Sequence, residues 1–481
     1  MVASWAEEEF ATINLKDKRR DKRAKKVLSD LGERPTASIS AASGGHKETM
    51  AAYRFFDNEN VTFETIIQPH IDQTLKRIQA NPVVLYIQDT SELDLTRPSS
   101  VVAGVGSLNG KSRRGVALHL MQAFTPRGIP LGAVSATVKS RPPDKPGMTK
   151  AKKRKARRAA RIEEKESFRW VQGLRTVREI SELSPDTTSV CISDSEADIY
   201  EMFTEPRESD NGGRLEWIIR ACQDRVVDAG TTDSPVTRLR EAVLATPIIH
   251  TKTIKVRGRK PLIAIDQRAR RQPQTDRVAT VTIRAAAVAI HAPLRAKTAS
   301  KPVPVNVVLV REENPPDGET PVEWILITTL PIGDRKAVET IIEYYEQRWS
   351  IEVFFKTLKS GCRVEKRRFE SLDRLLPCLG IYLIVAWRTM MLQRLGQNCP
   401  DMSCETVLQP EEWQSVYAKV TGDTPPETAP SLNEIIRMIA QLGGYVNVPG
   451  RKDMPGVQTL WIGMQRMRDL AWAWEYVHEK T

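Results

Sequence analysis

The sequence predicts an α/β protein in which helical segments flank a middle region of strands, and three observations carry this prediction. Residues 1 to about 65 and residues 371–481 have apolar positions at helical spacing. Apolar runs at 83–88 and 190–193 have the length and composition of buried strands. Residues 215–330 are rich in Val, Ile and Thr and are broken by turn residues, as in a β-rich insertion.

Length and charge limit the possible functions. The chain has 481 residues, which is enough for two to four domains with a substantial core. Hydrophobic residues make up 40% and charged residues 27%, so the chain is globular rather than disordered. There are 72 Lys and Arg against 60 Asp and Glu, a formal charge of +12. This excess favours a nucleic-acid partner, although ribosome-associated and membrane-surface proteins share it.

The thiols and the apolar segments indicate a cytoplasmic protein without a membrane partner. The six cysteines are scattered and lack zinc-ligand spacing, which suits a reducing compartment. The N-terminus is acidic and has no apolar core, unlike a signal peptide. The most apolar stretch, Leu375 to Trp387, contains Pro377 and is shorter than the ~20 residues that span a bilayer. We expect a buried helix there.

The N-terminal segment combines a basic run with a helix–turn–helix pattern. Residues 16–26 contain eight basic and two acidic residues. Alone, such a run is usually a solvated helix face. Here it precedes a small-residue turn at 36–46 and a helical pattern at 48–56, which is compatible with DNA docking. The candidate DNA contacts in the run are Arg19, Arg20 and Arg23.

From residue 66 a helix should precede three strands, at 83–88, about 115–124 and about 129–138. A helix at about 162–183 should then lead to the strand that ends at Asp194. Between these elements, residues 150–161 contain eight basic residues and no acidic one. Two interpretations stay open for that run: a mobile loop or exposed helix start, and an arm that contacts phosphates without sequence preference.

After a strand at 324–328, one long helix is predicted from its N-cap Asp334 to Ser360, with Gly361 ending it. At 100° per residue, five side chains on this helix share a sector of about 80°. One alternative is an ordinary surface stripe with salt bridges. The aromatic rings of this segment add stacking surfaces and favour a functional face. The five residues are Tyr345, Arg348, Glu352, Lys356 and Lys359.

The C-terminal segment is predicted to be helical, with a capping box at 431–434 and a stop at Gly443-Gly444. A stripe from Trp461 through Met464, Met467 and Ala471 to Trp474 is typical of a core, and on a terminal helix it could also be an oligomer interface.

Three carboxylates stand in contexts that suit metal binding. Asp89 and Asp194 each close a predicted strand, and Glu352 lies on the long helix. Two carboxylates at strand ends with a third on a helix can hold a pair of divalent cations for phosphoryl transfer. In a basic chain, this arrangement indicates an enzyme that cuts or joins nucleic acid.

The spacing Tyr345-x2-Arg348-x3-Glu352-x6-Lys359 resembles the signature of the DDE transposases of bacterial insertion sequences, in the group of the Tn-five transposase (insertion-sequence-four family). Further similar segments run nearly from end to end of the chain: 52–56, 89–90, 164–170, 194–199, 315–324, 442–444 and 460–463.

The resemblance implies an RNase H-like mixed-sheet catalytic core with a β-rich insertion. It also implies three domains: an N-terminal helical domain for transposon-end DNA (1–65), the catalytic domain (66–370, with the insertion at about 215–330) and a C-terminal helical dimerisation domain (371–481). Double-stranded DNA of the transposon ends and of the target would be the partner. A homodimer would form in the synaptic complex, and the bacterial cytoplasm, at the nucleoid, is the implied location.

The resemblance also implies roles for individual residues. Asp89, Asp194 and Glu352 would hold two Mg²⁺ ions, with Mn²⁺ able to substitute. The implied DNA contacts are the phosphate ligands Arg220, Arg348 and Lys359, the hydrogen-bonding Tyr345, the neighbouring Lys356, and Trp324, which would stack on a base flipped out of the duplex. Ser195, Phe355, Arg113-Arg114 and the length of the 150–161 run depart from the best-known relative, and these departures concern DNA contacts rather than the chemistry.

Three functions are compatible with the sequence. The favoured one is a cut-and-paste transposase that works through a DNA hairpin. The second is an RNase H-like nuclease without strand transfer, against which the Tyr-Arg-Lys signature argues. The third is a non-catalytic DNA-binding regulator of transposition, against which the three carboxylates argue.

Overall fold

The computed structural model describes residues 2–108, 112–141, 149, 156, 159–229, 236–256, 258, 275–293, 301–448 and 454–478. The chain forms two compact units. Unit 1 comprises Met1–Lys153 together with Trp349–Thr481, and unit 2 comprises Arg154–Arg348. The three-domain division implied by the resemblance stays a prediction.

Unit 1 begins with five helices, as the helical pattern of the N-terminal segment predicts. Asp17 caps the second by accepting a hydrogen bond from the Arg19 amide at 2.8 Å, and Thr62 caps the fifth with a capping box. The helices are α1 Ser4–Glu9, α2 Lys18–Glu33, α3 Ile39–Ser43, α4 His46–Phe56 and α5 Phe63–Gln79.

An antiparallel sheet follows α5, with strands β1 Val83–Asp94, β2 Gly106–Ser107, β3 Arg114–Phe124 and β4 Pro130–Lys139. β3 pairs with each of the other three. The predicted end of β1 at residue 88 is wrong, because residues 89–94, which are polar except for Leu93, continue the ladder opposite Leu120 to Gly115. Pairing with β3 overrides the polar composition there.

A buried ionic group ties α1 to the centre of unit 1. The Glu9 carboxylate contacts Nδ1 of His70 at 2.5 Å and both terminal nitrogens of Arg77 at 3.0–3.1 Å. Nε2 of His70 accepts the Ala133 amide hydrogen at 2.9 Å, so Nδ1 carries the proton of a neutral ring. The Arg77 guanidinium also lies 4.4 Å from the ring centroid of Trp387.

The rest of unit 1 is helical, as predicted. Its helices are α10 Trp349–Lys356 with a π-helical turn at Thr357–Gly361, α11 Leu372–Asn398, α12 Pro410–Thr421, α13 Leu432–Leu442 and α14 Val457–His478; the helices numbered between α5 and α10 belong to unit 2. Short 3₁₀ turns lie at Val364–Lys366 and Cys404–Thr406.

Helix α11 is the core helix of unit 1. Among the described residues it alone has the length and apolar composition of a bilayer-spanning helix, but 89% of its apolar window is buried inside the protein. The buried helix predicted from Leu375 to Trp387 is therefore confirmed. The helix is longer than the apolar stretch alone predicts, since α11 has 27 residues and Pro377 lies within it.

The aromatic and methionine stripe of α14 is mostly core. Trp461, Met464, Met467 and Ala471 are at most 4% exposed, and Met464 and Met467 pack in the C-terminal cluster around Trp413. The exposed aromatic residues of α14 are others: Trp472 and Tyr476 are stacked on each other with ring centroids 6.2 Å apart, and more than half of each is exposed.

Unit 2 is built on a mixed sheet. β5 pairs in parallel with β6, and antiparallel pairs join β6 to β12, β12 to β11 and β11 to β10. β10 also pairs with β9 and β7, and β7 pairs with β8. The bounds are β5 Thr188–Ser193, β6 Leu215–Arg220, β7 Val226–Asp228, β8 Val236–Arg238, β9 His250–Val256, β10 Arg277–Ile290, β11 Val303–Glu312 and β12 Glu323–Thr328. The predicted β-rich insertion is confirmed.

The described helices of unit 2 include α6 Phe168–Leu183, α7 Tyr200–Thr204, α8 Leu239–Leu244 and α9 Arg335–Glu346, with 3₁₀ turns at Ile162–Glu164 and Ser195–Ala197. Asp334 caps α9 as predicted, accepting the Ala337 amide hydrogen at 2.8 Å. The predicted single helix to Ser360 is wrong. The amides of Gln347 and Arg348 bond three residues back, which closes α9, and α10 starts at Trp349.

Candidate functional site

Asp89 lies inside strand β1, half-buried, opposite Leu120 of β3. Its Oδ1 accepts the amide hydrogen of Thr90 at 2.7 Å. The Thr90 hydroxyl is bonded in turn to Nδ1 of His119 at 2.8 Å. The Thr90 amide thus orients the carboxylate, and the Thr90 side chain is bonded to the neighbouring strand.

Glu352 belongs to the same unit as Asp89. It lies on α10, a helix that packs against β1. Ile351 and Phe354 are fully buried and anchor α10, while Glu352 stays half-buried. The unit thus brings the elements that carry two of the three predicted metal ligands into contact.

The π-helical turn after α10 sets the position of Lys359. In this turn the Cys362 amide bonds to the Thr357 carbonyl five residues back, at 2.9 Å. The continuous α-helix from which the 80° sector is calculated is therefore wrong, and the shared face stays a prediction. Lys356 is exposed, whereas Nζ of Lys359 donates to the backbone carbonyl of Glu92. Burial lowers the pKa of Lys359, against the opposing effect of the nearby carboxylates.

Asp194 ends strand β5 in unit 2, as predicted. Its Oδ1 caps the following turn by accepting the Glu196 amide hydrogen at 2.8 Å. Glu196 itself pairs with Arg169 at 3.1 Å. Asp198 is 1% exposed and accepts the amide hydrogens of Cys222 and Gln223 at 2.7 and 2.8 Å. The contacts of Glu196 and Asp198 are structural ones.

Tyr345, Trp324 and Arg220 form a cluster in unit 2. The rings of Trp324 and Tyr345 meet edge to face, with centroids 5.6 Å apart. The Tyr345 hydroxyl is buried and no hydrogen bond to it meets standard geometry. Burial raises the pKa of Tyr345, while the guanidinium groups of Arg348 and Arg220 act in the opposite direction and Asp194 adds to the rise. The cluster therefore brings three predicted DNA contacts together.

The three predicted arginines of α2 have different surroundings. The Arg19 side chain is 93% exposed. Arg20 donates to the Leu15 carbonyl at 2.8 Å, and Arg23 forms an ion pair with Glu48. Arg19 is thus the most accessible of the three. Most of the basic run 150–161 lies outside the described residues.

One ion pair next to Trp324 could not be predicted from the sequence. The Arg240 guanidinium binds the Glu323 carboxylate with two hydrogen bonds, one of them at 2.7 Å. The two residues are far apart in the chain and belong to no local pattern, so only the fold joins them.

Within the described part of the chain, no group of three or more His, Cys, Asp or Glu is arranged to hold a metal ion. Of the predicted ligands, Asp89 and Glu352 belong to unit 1 and Asp194 to unit 2. As a donor set they suit a hard divalent cation, because all three are carboxylates.

Three family models match the chain. A transposase DNA-binding model covers residues 2–61, a transposase DDE-domain model covers residues 213–386, and a model of the Tn5 transposase dimerisation domain covers residues 384–478. The protein is a DNA transposase, an enzyme that cleaves DNA and transfers strands. The chain belongs to the DDE transposases of the Tn5 type.

These matches confirm the predicted family, fold class and enzyme class. They also support DNA binding, dimer formation and, in general terms, the use of a divalent metal. A solved cryo-EM structure, the piggyBac transposase synaptic complex with hairpin DNA, is similar at 9% identity over 82% of this chain and 72% of that one. The TM-score between the two structures is 0.35.

Proposed function

We propose that this transposase moves its element by cut and paste. It nicks DNA at the transposon ends, closes the end into a hairpin, opens the hairpin and joins the 3′ ends to target DNA. The observation that carries the hairpin step is the contact between Trp324 and Tyr345 at the start of β12. A half-buried indole backed by a second ring offers a platform for a base that must leave the stack.

The triad would be Asp89, Asp194 and Glu352, holding two Mg²⁺ ions, with Mn²⁺ able to substitute. Three carboxylates and no soft ligand suit Mg²⁺. When bound, the ions supply a lowered pKa for attacking water and charge stabilisation at the phosphorus. The contact between the Glu352 helix and the Asp89 strand supports shared ligation by these two residues.

Tyr345 and Arg220 would hold the end phosphates near Trp324. The buried Tyr345 hydroxyl makes no hydrogen bond of standard geometry, and the Arg220 guanidinium acts on it from nearby. A phosphate oxygen would accept its hydrogen. Arg220, Arg348 and Lys359 add positive charge for the same strand, and the exposed Lys356 and Arg19 would contact the backbone further away.

The dimer would form in the synaptic complex, where each protomer contributes its C-terminal domain. The exposed pair Trp472 and Tyr476 lies inside the matched dimerisation segment and offers an aromatic surface on α14. The site of action would be the nucleoid of a bacterial cytoplasm.

The deciding experiment incubates the protein with its flanking DNA ends, target plasmid and Mg²⁺, and separates products on denaturing gels. We expect nicked strands first, then hairpins, then joined products. Nicks without joining would identify a nuclease, and binding without cleavage would identify a regulator; either outcome contradicts the proposal.

A further inference from the structure

Among the residues that the structure describes, strand β12, which carries Trp324, has no paired strand on one of its two edges at that residue. β6 pairs with β12 only from Leu326 onward, where Arg220 is the last partner. The final backbone bond on this edge runs from the Ala221 amide to the Ile325 carbonyl at 2.8 Å. At Trp324 the described ladder continues only toward Val310 of β11.

A side chain takes the place of the missing backbone donor. Arg220 donates from a terminal guanidinium nitrogen to the carbonyl oxygen of Glu323 at 3.2 Å. That carbonyl belongs to the peptide group that joins Glu323 to Trp324. The backbone amides that would otherwise continue β6, those of Cys222 and Gln223, are turned away because both donate to the Asp198 carboxylate.

The carboxylate of Glu323 is held separately by α8. Arg240, the second residue of α8, binds it through both terminal nitrogens, with Nη1 to Oε2 at 2.7 Å. Nε of Arg311 on β11 lies 3.9 Å from the same group. Helix α8 packs on β10 and β11, so its end is itself fixed. Glu323 is therefore held through its backbone by Arg220 and through its side chain by Arg240.

We propose that Arg240 is a positioning residue for the hairpin step. Through Glu323 it fixes the backbone at Trp324, and thereby the direction of the indole against Tyr345 and the flipped base. This inference rests on the proposed function, in which Trp324 is the stacking platform. A strand end with one free edge frays readily, and a platform fixed before the base arrives avoids the entropy of ordering it during the reaction.

The test compares two singly substituted proteins, Arg240→Met and Glu323→Gln, with the doubly substituted one. Nicking and hairpin closure are timed on end DNA that carries 2-aminopurine at the flipped position. We expect nicking rates within twofold of the unsubstituted protein, hairpin closure slower by about fivefold, and weaker fluorescence quenching. The double variant should close hairpins no more slowly than the slower single variant, because the two residues act as one pair.

Arg175→Met is the matched control. Arg175 binds Glu205 with two hydrogen bonds at 2.8 and 3.1 Å, and its side chain is 44% exposed against 42% for Arg240. It is in the same unit, and its ion pair joins α6 to the residue that follows α7 rather than to β12. The control should leave both rates unchanged. Normal hairpin closure in Arg240→Met, or equal slowing of both steps with a lowered Tm, would overturn the inference.

Trp324→Ala, assayed beside these variants, separates the inference from the proposed function. If Trp324→Ala slows closure and Arg240→Met does not, only the positioning role is overturned. If Trp324→Ala closes hairpins normally, or the unsubstituted protein makes none, the proposed function fails first and the positioning role fails with it.

Discussion

The Trp324 indole rests edge to face on the Tyr345 ring, with the two planes inclined at 66°. Two residues that the sequence suggests as separate DNA contacts therefore form one aromatic pair, joining the start of β12 to the end of α9. Each is the other's packing partner, so replacing either one disturbs both. Experiments on this pair need a stability measurement beside every rate.

Trp324→Ala should allow first-strand nicking but slow hairpin closure roughly 5- to 150-fold, which corresponds to losing one stacked base of ~1–3 kcal/mol. Time courses of nicked and hairpin DNA measure this, and Trp324→Phe should recover part of the rate because it keeps a ring. Loss of both steps together with a lower Tm would instead identify a packing residue, whose truncation costs ~3–5 kcal/mol.

Asp89→Ala, Asp194→Ala and Glu352→Ala should each abolish cleavage and leave binding of end DNA largely intact. Each removes a carboxylate that is proposed to bind metal, and a carboxylate repels phosphate. Gel-shift and cleavage assays in Mg²⁺ measure the two properties separately. Glu196→Ala is the control, because its exposed carboxylate pairs with Arg169. Near-normal cleavage by one of the three variants would remove that residue from the triad.

Arg348→Ala should weaken the end-DNA complex and reduce the slope of log K against log salt by about one unit, as expected for one lost phosphate contact. Arg335→Ala removes the same charge from an exposed position on α9 and is the control. An unchanged slope for Arg348→Ala would identify a structural ion-pair partner.

For Lys359→Ala, the structure predicts a loss of stability in addition to the loss of DNA contact that the motif alone suggests. Its ammonium group already donates to the Glu92 carbonyl, so the substitution should lower the Tm as well as the salt slope. Lys359→Arg keeps the charge and should recover the slope. A lowered Tm with an unchanged slope would show that Lys359 serves the fold alone.

The stability of unit 1 should fall as pH falls through about 6.5. Burial lowers the pKa of His70, so below that pH the unfolded chain takes up a proton that folded His70 does not. The effect is at most about 1.4 kcal/mol per pH unit, or roughly 2–4 °C in Tm. Glu9, whose pKa is also lowered, loses its stabilising contribution only near and below pH 4.5, outside this range.

Thermal melts of the unsubstituted protein and of His70→Gln, at about pH 7.5 and about pH 5.5, measure the contribution of this residue. Gln offers one donor and one acceptor but does not titrate in this range. The Tm difference between the two pH values should be smaller in His70→Gln. Equal differences would show that His70 does not couple folding to pH.

Short-range sequence patterns predict much of the secondary structure of this protein. The caps at Asp334 and Ser431 and the Val- and Ile-rich strands were recognisable because neighbouring residues determine them. The break at Gln347–Arg348 was not, since neither Gly nor Pro marks it. The extension of β1 through polar residues and the Arg240–Glu323 pair depend on elements distant in sequence, so no local pattern reveals them.

The division of the chain also governs the order in which it can fold. Unit 2 is continuous in sequence, whereas unit 1 is built from two segments with the whole of unit 2 between them. During synthesis the first 153 residues must wait for α11, which packs on α2 and α5, before their core can close. A nascent chain stopped after Arg348 should therefore hold a protease-resistant unit 2 beside an N-terminal segment that is still cleaved. Equal resistance of both segments would show that the N-terminal part folds without α11.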